Sequence, residues 1–356
     1  MKLPIVVIGG GPAGSICARQ LARLGHEVIL AERTAGVKPK LGEICGPRVR
    51  HLLARECDLS IPPSLYRPLS NFLSAWGSAE LDGRSFTFWQ TDEALVLDRQ
   101  AFDRWLLESA ESGGVTVLRG CDVTSGTRSG EGWILKGLVN GQPETLSASF
   151  VVEAVGSRGR SVIQPDVNRL FTDKLVCLSA ELNGPFTSAH ALVEACEAGW
   201  WYTVQLPSGT RVVNLFTDGD TLEPSSTRVK WFNSVLDKTT HIRHLVNHFP
   251  TIADVHTCDA RTSIRLVLWR AGWISIGDAA WCLDPLAGTG IQRAIHDGLN
   301  AASTLSQFLA TGNSDQVRSH AVAQAESFKE SLLTQSRYYS FETRWKSAQF
   351  WRRRAA

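Results

Sequence analysis

The sequence predicts an α/β protein, and three observations carry that reading. An apolar, β-branched run from Leu3 to Ile8 passes through spaced glycines into a helix-forming stretch and then a second strand. A late strand, Trp273 to Ile276, ends on Gly277-Asp278. Between them, residues 175–183 and 199–217 alternate as long strands of a separate, mostly antiparallel sheet do.

The first unit is the most specific. Leu3 to Ile8 reads as a buried parallel strand, Ser15 to Leu24 as a helix, and Glu27 to Ala31 as the next strand, ending on Glu32. The turn is Gly9-x-Gly11-x-x-Gly14, and the acid stands eighteen residues after Gly14. This is a Rossmann-like dinucleotide-binding unit in its full context of strand, glycine turn, helix, strand and acid. Gly9 permits the tight turn, Gly11 lets backbone approach a pyrophosphate, and Gly14 lets helix pack on strand. The positive end of the helix faces the phosphates, and Glu32 is placed to accept ribose hydroxyls. Pro12, Ala13 and Arg33 complete the cofactor contacts expected here.

Further along, a loop from Lys38 to Arg48 leads into a helix over 49–56, and residues 72–97 alternate in a strand-like way. Asp98 caps a helix carrying Phe102, Leu106 and Leu107. Strands are expected at 115–118, 133–135 and 150–155, a helix over 227–247, and closing helices over 290–310 and 314–339. His241, His244 and His248 would share one face of that middle helix; they read as solvated residues, with no metal site.

The second motif runs Gly277-Asp278, Asp284-Pro285, Gly288-Thr-Gly290-Ile291. A carboxylate at the carboxyl edge of the sheet belongs beside a pyrophosphate and ribityl chain. The glycine-rich start of a helix offers amides to negative charge on a reduced isoalloxazine. A nicotinamide protein needs only the first motif; the pair points to FAD and to a glutathione-reductase-type FAD-binding domain.

By these motifs the chain resembles class A flavoprotein monooxygenases and their halogenase-like relatives. Asp98-Arg99-x-x-Phe102-Asp103 is similar to a segment of those enzymes, which implies that Arg99 lies beside the cofactor. Gly42-Glu43, Ser74-Ala-Trp76-Gly77, Gly199-Trp-Trp-Tyr202 with Leu206-Pro207 and Thr217-Asp218, and Tyr338-Tyr339 through Arg344-Trp345 to Phe350-Trp351 make a narrower match. It is to the flavoproteins that hydroxylate a tryptophan of a partner polypeptide in tryptophylquinone cofactor maturation. The resemblance implies monooxygenation of an aromatic ring through a C4a-hydroperoxyflavin. Tryptophan halogenases carry W-x-W-x-I-P and a lysine that takes up hypohalous acid. Here the stretch reads Trp200-Trp201-Tyr202-Thr-Val-Gln-Leu-Pro207, and no lysine lies between Lys40 and Lys136. The segment Glu153 to Arg160 lacks the second Asp-Gly motif tied to NAD(P)H use. Electrons therefore come from NAD(P)H directly or through a separate flavin reductase. Rival readings are a small-molecule aromatic hydroxylase, a halogenase-like or geranylgeranyl-reductase-like enzyme, and a flavin-carrying accessory protein without turnover.

Composition excludes other classes. The 356 residues balance 37 basic against 35 acidic side chains, so no nucleic-acid footprint is visible. No apolar stretch reaches membrane-span length, and the N-terminal apolar residues already serve the first strand. Eight scattered cysteines without a C-x-x-C pair fit reduced thiols in a cytoplasmic enzyme. Twelve tryptophans against four tyrosines suggest an aromatic chamber.

The expected division is a discontinuous FAD-binding domain (1–70, 98–165 and 259–310), a substrate domain (71–97 and 166–258) and a C-terminal helical segment (311–356). Candidate catalytic residues are Glu43, Trp76, Trp201 and Asp284. Glu43 sits in a loop expected near the cofactor, for proton work or loop structure. Trp76, Trp200, Trp201 and Tyr202 would line the chamber or pack as core. Asp284 would orient the flavin-side loop or cap the turn before Pro285. Pro285, Gly288, Gly290, Ile291, Gly277 and Asp278 complete the FAD contacts, and the partner is a peptide or protein bearing the target tryptophan.

Overall fold

The computed structural model describes residues 3–33, 43–46, 48–69, 71–85, 94–157, 161–186 and 190–354. Its first sheet has six strands in the order Trp269–Arg270, Trp273–Ser275, Phe150–Glu153, Ile5–Ile8, Val28–Glu32 and Thr116–Arg119. All neighbours are parallel except the outermost pair, Trp269–Arg270 with Trp273–Ser275. A parallel strand is buried on both faces, which is why Ile5–Ile8 is apolar throughout. Ile5 and Val7 meet Ala13, Cys17 and Leu21 of the helix Pro12–Arg23 and Ala301 and Leu305 of the helix Gly290–Thr311. Val6 and Ile8 meet Trp133 and Leu135 of a three-stranded antiparallel sheet, Cys121–Ser129, Gly132–Val139 and Gln142–Ala148.

The second large sheet has seven strands: His256–Asp259, Leu175–Leu182, Arg211–Asp218, Gly199–Gln205, Ala191–Cys196, Asn71–Ala75 and Asp82–Ser85. Its pairs are antiparallel apart from Ala191–Cys196 with Asn71–Ala75. Alternation divides the central strand: Trp201 points to a face covered by the helix Ser225–Leu236, while Trp200 faces the other way. That second face is covered by the C-terminal segment, with Tyr339, Phe350 and Trp351 packed onto it.

Three expectations change. Ala94–Leu97 pairs with Ile44–Cys45 and Tyr66–Leu69 rather than with the seven-stranded sheet. Leu95 and Leu97 pack on Cys45, Phe102 and Ile291, which draws that strand to the cofactor side. Arg169–Phe171 likewise leaves the region assigned to the substrate sheet and pairs with Ser263–Arg265. The single helix expected over 227–247 is two, Ser225–Leu236 and His241–Leu245. The break is held by the buried Glu194, whose carboxylate accepts the N–H groups of Thr240, His241 and Ile242 at 2.7, 3.0 and 2.7 Å. An acid at a helix N-terminus satisfies its orphan donors and its dipole. His248 therefore lies beyond the short helix, and the three histidines do not share a helical face. The closing helices Gly290–Thr311 and Asp315–Ser340 lie close to where the periodicity put them, followed by a short Gln349–Arg352 turn of helix.

Candidate active site

The glycine turn is shaped by close approach. Gly9 has φ +107°, and a Cβ there would lie 2.4 Å from the Ala154 carbonyl oxygen. A Cβ on Gly14 would lie 1.9 Å from the Gly9 carbonyl oxygen. At Gly11 a Cβ would meet nothing within 4 Å, so the N-terminus of the helix Pro12–Arg23 opens onto empty space. That helix has no side-chain cap and no acid in its first turn, so its leading N–H groups remain available to an anion. Pro12 occupies the first turn and Ala13 is buried against the helix Gly290–Thr311. Glu32, at the end of its strand, accepts the Gly10 N–H at 2.6 Å, and Arg33 beside it is exposed. Room for a diphosphate, helix amides and an acid at the ribose position together fit FAD.

The second motif closes on the first. Asp278 is half-exposed and pairs with Arg293 of the helix Gly290–Thr311. The Gly277 N–H donates to the buried carboxylate of Asp297, four residues further along the same helix; Asp297 also accepts from Gln324 at 2.8 Å. Arg293 bonds the Trp281 carbonyl at 2.7 Å and lies 4.1 Å over its ring. Arg293 and Asp297 were not foreseen. Their signal was a pair of charges at i and i+4 on a face that also carries Ile291 and Ala294, and charge on a buried face has to be paired. Arg99 follows the Asp98 cap and pairs with Asp103 at 3.4 Å. A Cβ on Gly288 or Gly290 would meet nothing within 4 Å, leaving the backbone after Pro285 approachable, and Ile291 is buried under it.

The chemistry gathers on one strand. Trp200 and Tyr202 sit two residues apart on Gly199–Gln205, so both face the flavin-side loops about 6.7 Å apart. The Tyr202 phenol donates to the buried carboxylate of Glu43, and burial together with that negative charge holds its pKa well above 10. The Trp200 indole N–H donates to the Tyr339 hydroxyl at 2.9 Å, and that hydroxyl donates to Asp284. Asp284 is 2% exposed; it also accepts the Leu286 N–H at 2.8 Å, capping the turn Pro285–Ala287, and the Gln335 amide at 3.2 Å. Burial raises its carboxyl to about 6, the Tyr339 hydrogen bond opposing. Trp76 is half-buried, its ring 5.7 Å from Tyr339, with its N–H on the Tyr338 carbonyl.

Trp201 is a correction. Its ring is fully buried on the far face, 4.9 Å from Phe232, so it is core and no part of this site. Trp201→Ala is expected to cost about 3–5 kcal/mol of stability, read by urea unfolding, with flavin content of the folded fraction unchanged. Tyr339 takes the place sequence reasoning gave to Trp201.

Among the described residues no group of three or more His, Cys, Asp or Glu side chains could hold a metal. All eight cysteines are free thiols. Among the described residues no helix is long and apolar enough to cross a membrane.

The sequence profile of the family described as tryptophan halogenase matches residues 78–356. The chain belongs to the tryptophan halogenase family. A second profile, glucose inhibited division protein A, matches residues 4–60 around the glycine turn. The putative FAD-dependent oxidoreductase LodB of Marinomonas mediterranea is 30% identical, over 99% of this chain and 96% of that protein. The tryptophan 2-halogenase of Chondromyces crocatus is 26% identical over 87% of the chain, which spans 63% of that protein's length. Among solved structures, the flavin-dependent halogenase CmlS superposes with a TM-score of 0.83 at 24% identity, covering 99% of this chain and 68% of that one. The peptidyl tryptophan dihydroxylase QhpG, essential for tryptophylquinone cofactor biogenesis, gives 0.82 at 22% identity, covering 100% and 79%. At these identities the structural likeness shows the fold. Family membership makes the chain an FAD-dependent oxidoreductase of flavin-monooxygenase type.

Proposed function

We propose that this chain is an FAD-dependent monooxygenase that hydroxylates an aromatic ring, the indole of a tryptophan in a partner peptide or protein. The observation that carries the reading is the aromatic sheet face tied to two buried carboxylates, Tyr202 to Glu43 and Trp200 through Tyr339 to Asp284. A chamber walled by aromatic rings suits a planar ring substrate, and a carboxyl near pKa 6 can hold or release a proton at neutral pH. No lysine between Lys40 and Lys136 is available to take up hypohalous acid, which favours oxygen transfer over halogenation. The fold-level likeness to a peptidyl tryptophan dihydroxylase supports a polypeptide substrate.

Amides of Gly11, Ala13 and Gly14 would hold the FAD pyrophosphate and Glu32 the ribose. Arg99, Gly277, Asp278 and the backbone from Pro285 through Gly288 and Gly290 to Ile291 would meet the flavin side. When bound and reduced, FAD supplies the activation of dioxygen. The chain's own residues do the rest. Trp76, Trp200 and Tyr202 hold the ring and exclude water. Asp284, fed through Tyr339, moves a proton at its carboxylate oxygen, and Glu43 anchors Tyr202 and the loop that carries it. A separate flavin reductase is proposed as the electron source, and a cytoplasmic setting as the compartment.

The test is co-expression with a candidate precursor of a tryptophylquinone enzyme, followed by mass spectrometry of that precursor. A gain of oxygen at one tryptophan is expected. Chlorine in place of hydrogen, a gain of hydrogen, or no change under reducing aerobic conditions would each overturn the reading.

A further inference from the structure

The aromatic residues around Asp284 form a connected series that runs beyond the residues given a part in hydroxylation, through Trp351 to Trp345. Tyr339, 2% exposed, lies 5.7 Å from Trp76 and 5.9 Å from Trp351 between ring centroids, and Trp76 lies 5.3 Å from Trp351. Trp351 in turn stacks 6.2 Å from Trp345. Trp76 and Trp345 keep part of their surface in solvent, so the series runs from the flavin-side loop to the exterior. Leu286, next to Pro285, packs into the same cluster, which ties its inner end to that loop.

Tryptophan and tyrosine are the side chains most readily oxidised by one electron. Tyrosine adds a condition: its oxidised phenol is strongly acidic, so electron loss is practicable only with a base at its hydroxyl. Tyr339 meets that condition, because its hydroxyl donates to the Asp284 carboxylate. The Trp200 N–H on the same oxygen fixes the hydroxyl's direction toward the acid. Arg354 stands 5.4 Å over Tyr339, but its charge is answered by Asp218 at 2.7 Å. At the outer end Arg344 lies 4.3 Å over Trp345, and its charge is likewise answered, by Glu342 at 2.6 Å. Trp76 lies directly beside Tyr339, whereas Trp345 is reached through Trp351, which makes Trp76 the shorter exit.

We propose that Asp284, Tyr339 and Trp76 form an oxidation relay that drains stray one-electron oxidising equivalents from the flavin site to the surface. The proposal rests on FAD lying against the Pro285 loop. A one-electron oxidant left by incomplete dioxygen reduction takes an electron from Tyr339, whose phenolic proton passes to Asp284. Trp76 then gives an electron to the tyrosyl radical, which recovers its proton from Asp284. The oxidised Trp76 keeps its indole proton, held on the Tyr338 carbonyl, and regains an electron from an external thiol, whose proton goes to solvent. The net change is reduction of the stray oxidant by the thiol, and the protein is returned unaltered.

The test illuminates the FAD-loaded protein with blue light, so that the excited flavin acts as the one-electron oxidant, and reads radicals by electron paramagnetic resonance after rapid freezing. The wild type is expected to show a tyrosyl signal that gives way to a tryptophan radical. Tyr339→Phe should lose the tyrosyl signal, and Trp76→Phe should prolong it several-fold. Asp284→Asn keeps the phenol and removes its base, so it should also lose the signal; it covers the case in which Tyr339→Phe does not fold. Unchanged radicals in these variants, or none in the illuminated wild type, would overturn the relay. A protein without the blue absorption band of FAD would instead sink the cofactor reading. Hexachloroiridate(IV) then replaces light as oxidant, with the same dependence on Tyr339 required.

Discussion

Gly14→Ala is expected to abolish flavin retention and to lower stability together. A methyl group at that position would sit 1.9 Å from the Gly9 carbonyl oxygen, about half of an ordinary carbon–oxygen contact. The obstacle is backbone, so no rotamer change relieves it; the helix Pro12–Arg23 has to move off the strand Ile5–Ile8. Alanine's better helix propensity returns about 1 kcal/mol, whereas overpacking of this kind costs about 1–3 kcal/mol or more, so the net sign is destabilising. Displacing the helix also carries its N-terminal amides away from the pyrophosphate position. Gly11→Ala is the informative partner. Its added methyl would meet nothing within 4 Å, so the apoprotein should unfold at the same urea concentration as the wild type. The methyl would stand where a diphosphate has to approach, so flavin absorbance after gel filtration should fall sharply. Full flavin content in Gly11→Ala, with unfolding unchanged, would refute placement of the cofactor at this turn.

The contrast between these glycines also explains what could be read from the chain. The dinucleotide unit was legible because its determinants lie within about thirty residues of one another and each has a local steric reason. The late Gly277-Asp278 segment was legible as a type of turn, but its support was not: Asp297 reaches back twenty residues to the Gly277 N–H. Alternation along Gly199–Gln205 said that Trp200 and Trp201 take opposite faces, without saying which face meets the cofactor. Only the covering elements decide that, and they come from distant stretches: Phe232 over Trp201, and Tyr339, 139 residues from Trp200, on the other side. The break in the helix expected over 227–247 has the same origin, since Glu194 lies on a neighbouring strand and no local signal marks it. Local sterics and period write the scaffold; the acid–phenol pairs of the site arise from long-range packing.

Asp284→Asn is expected to remove an acidic limb near pH 6 from the rate profile and to slow turnover by about a hundredfold or more, the range for a lost acid–base group. Asp284 is fully buried, and desolvation lifts its carboxyl from 3.8 to about 6, while Tyr339 stays protonated far above that. The ionised acid is the form that can take a proton, so turnover should fall as pH drops through 6. Tyr339→Phe then makes a signed prediction. Its hydroxyl stabilises the ionised carboxylate, so its loss has to raise the carboxyl further and move the limb to higher pH. A purely structural role for Tyr339 would lower the plateau and leave the limb where it was. Stability gives an independent reading. A carboxyl raised in the folded state favours folding fully below its unfolded value near 4, and that contribution is lost as pH rises through about 6. A shift of roughly two units corresponds to about 3 kcal/mol. The wild type should therefore lose stability relative to Asp284→Asn between pH 4 and pH 7, most steeply near 5. If the difference in unfolding free energy between the two proteins stays flat across that window, Asp284 does not titrate there, and the proton-handling role falls with it.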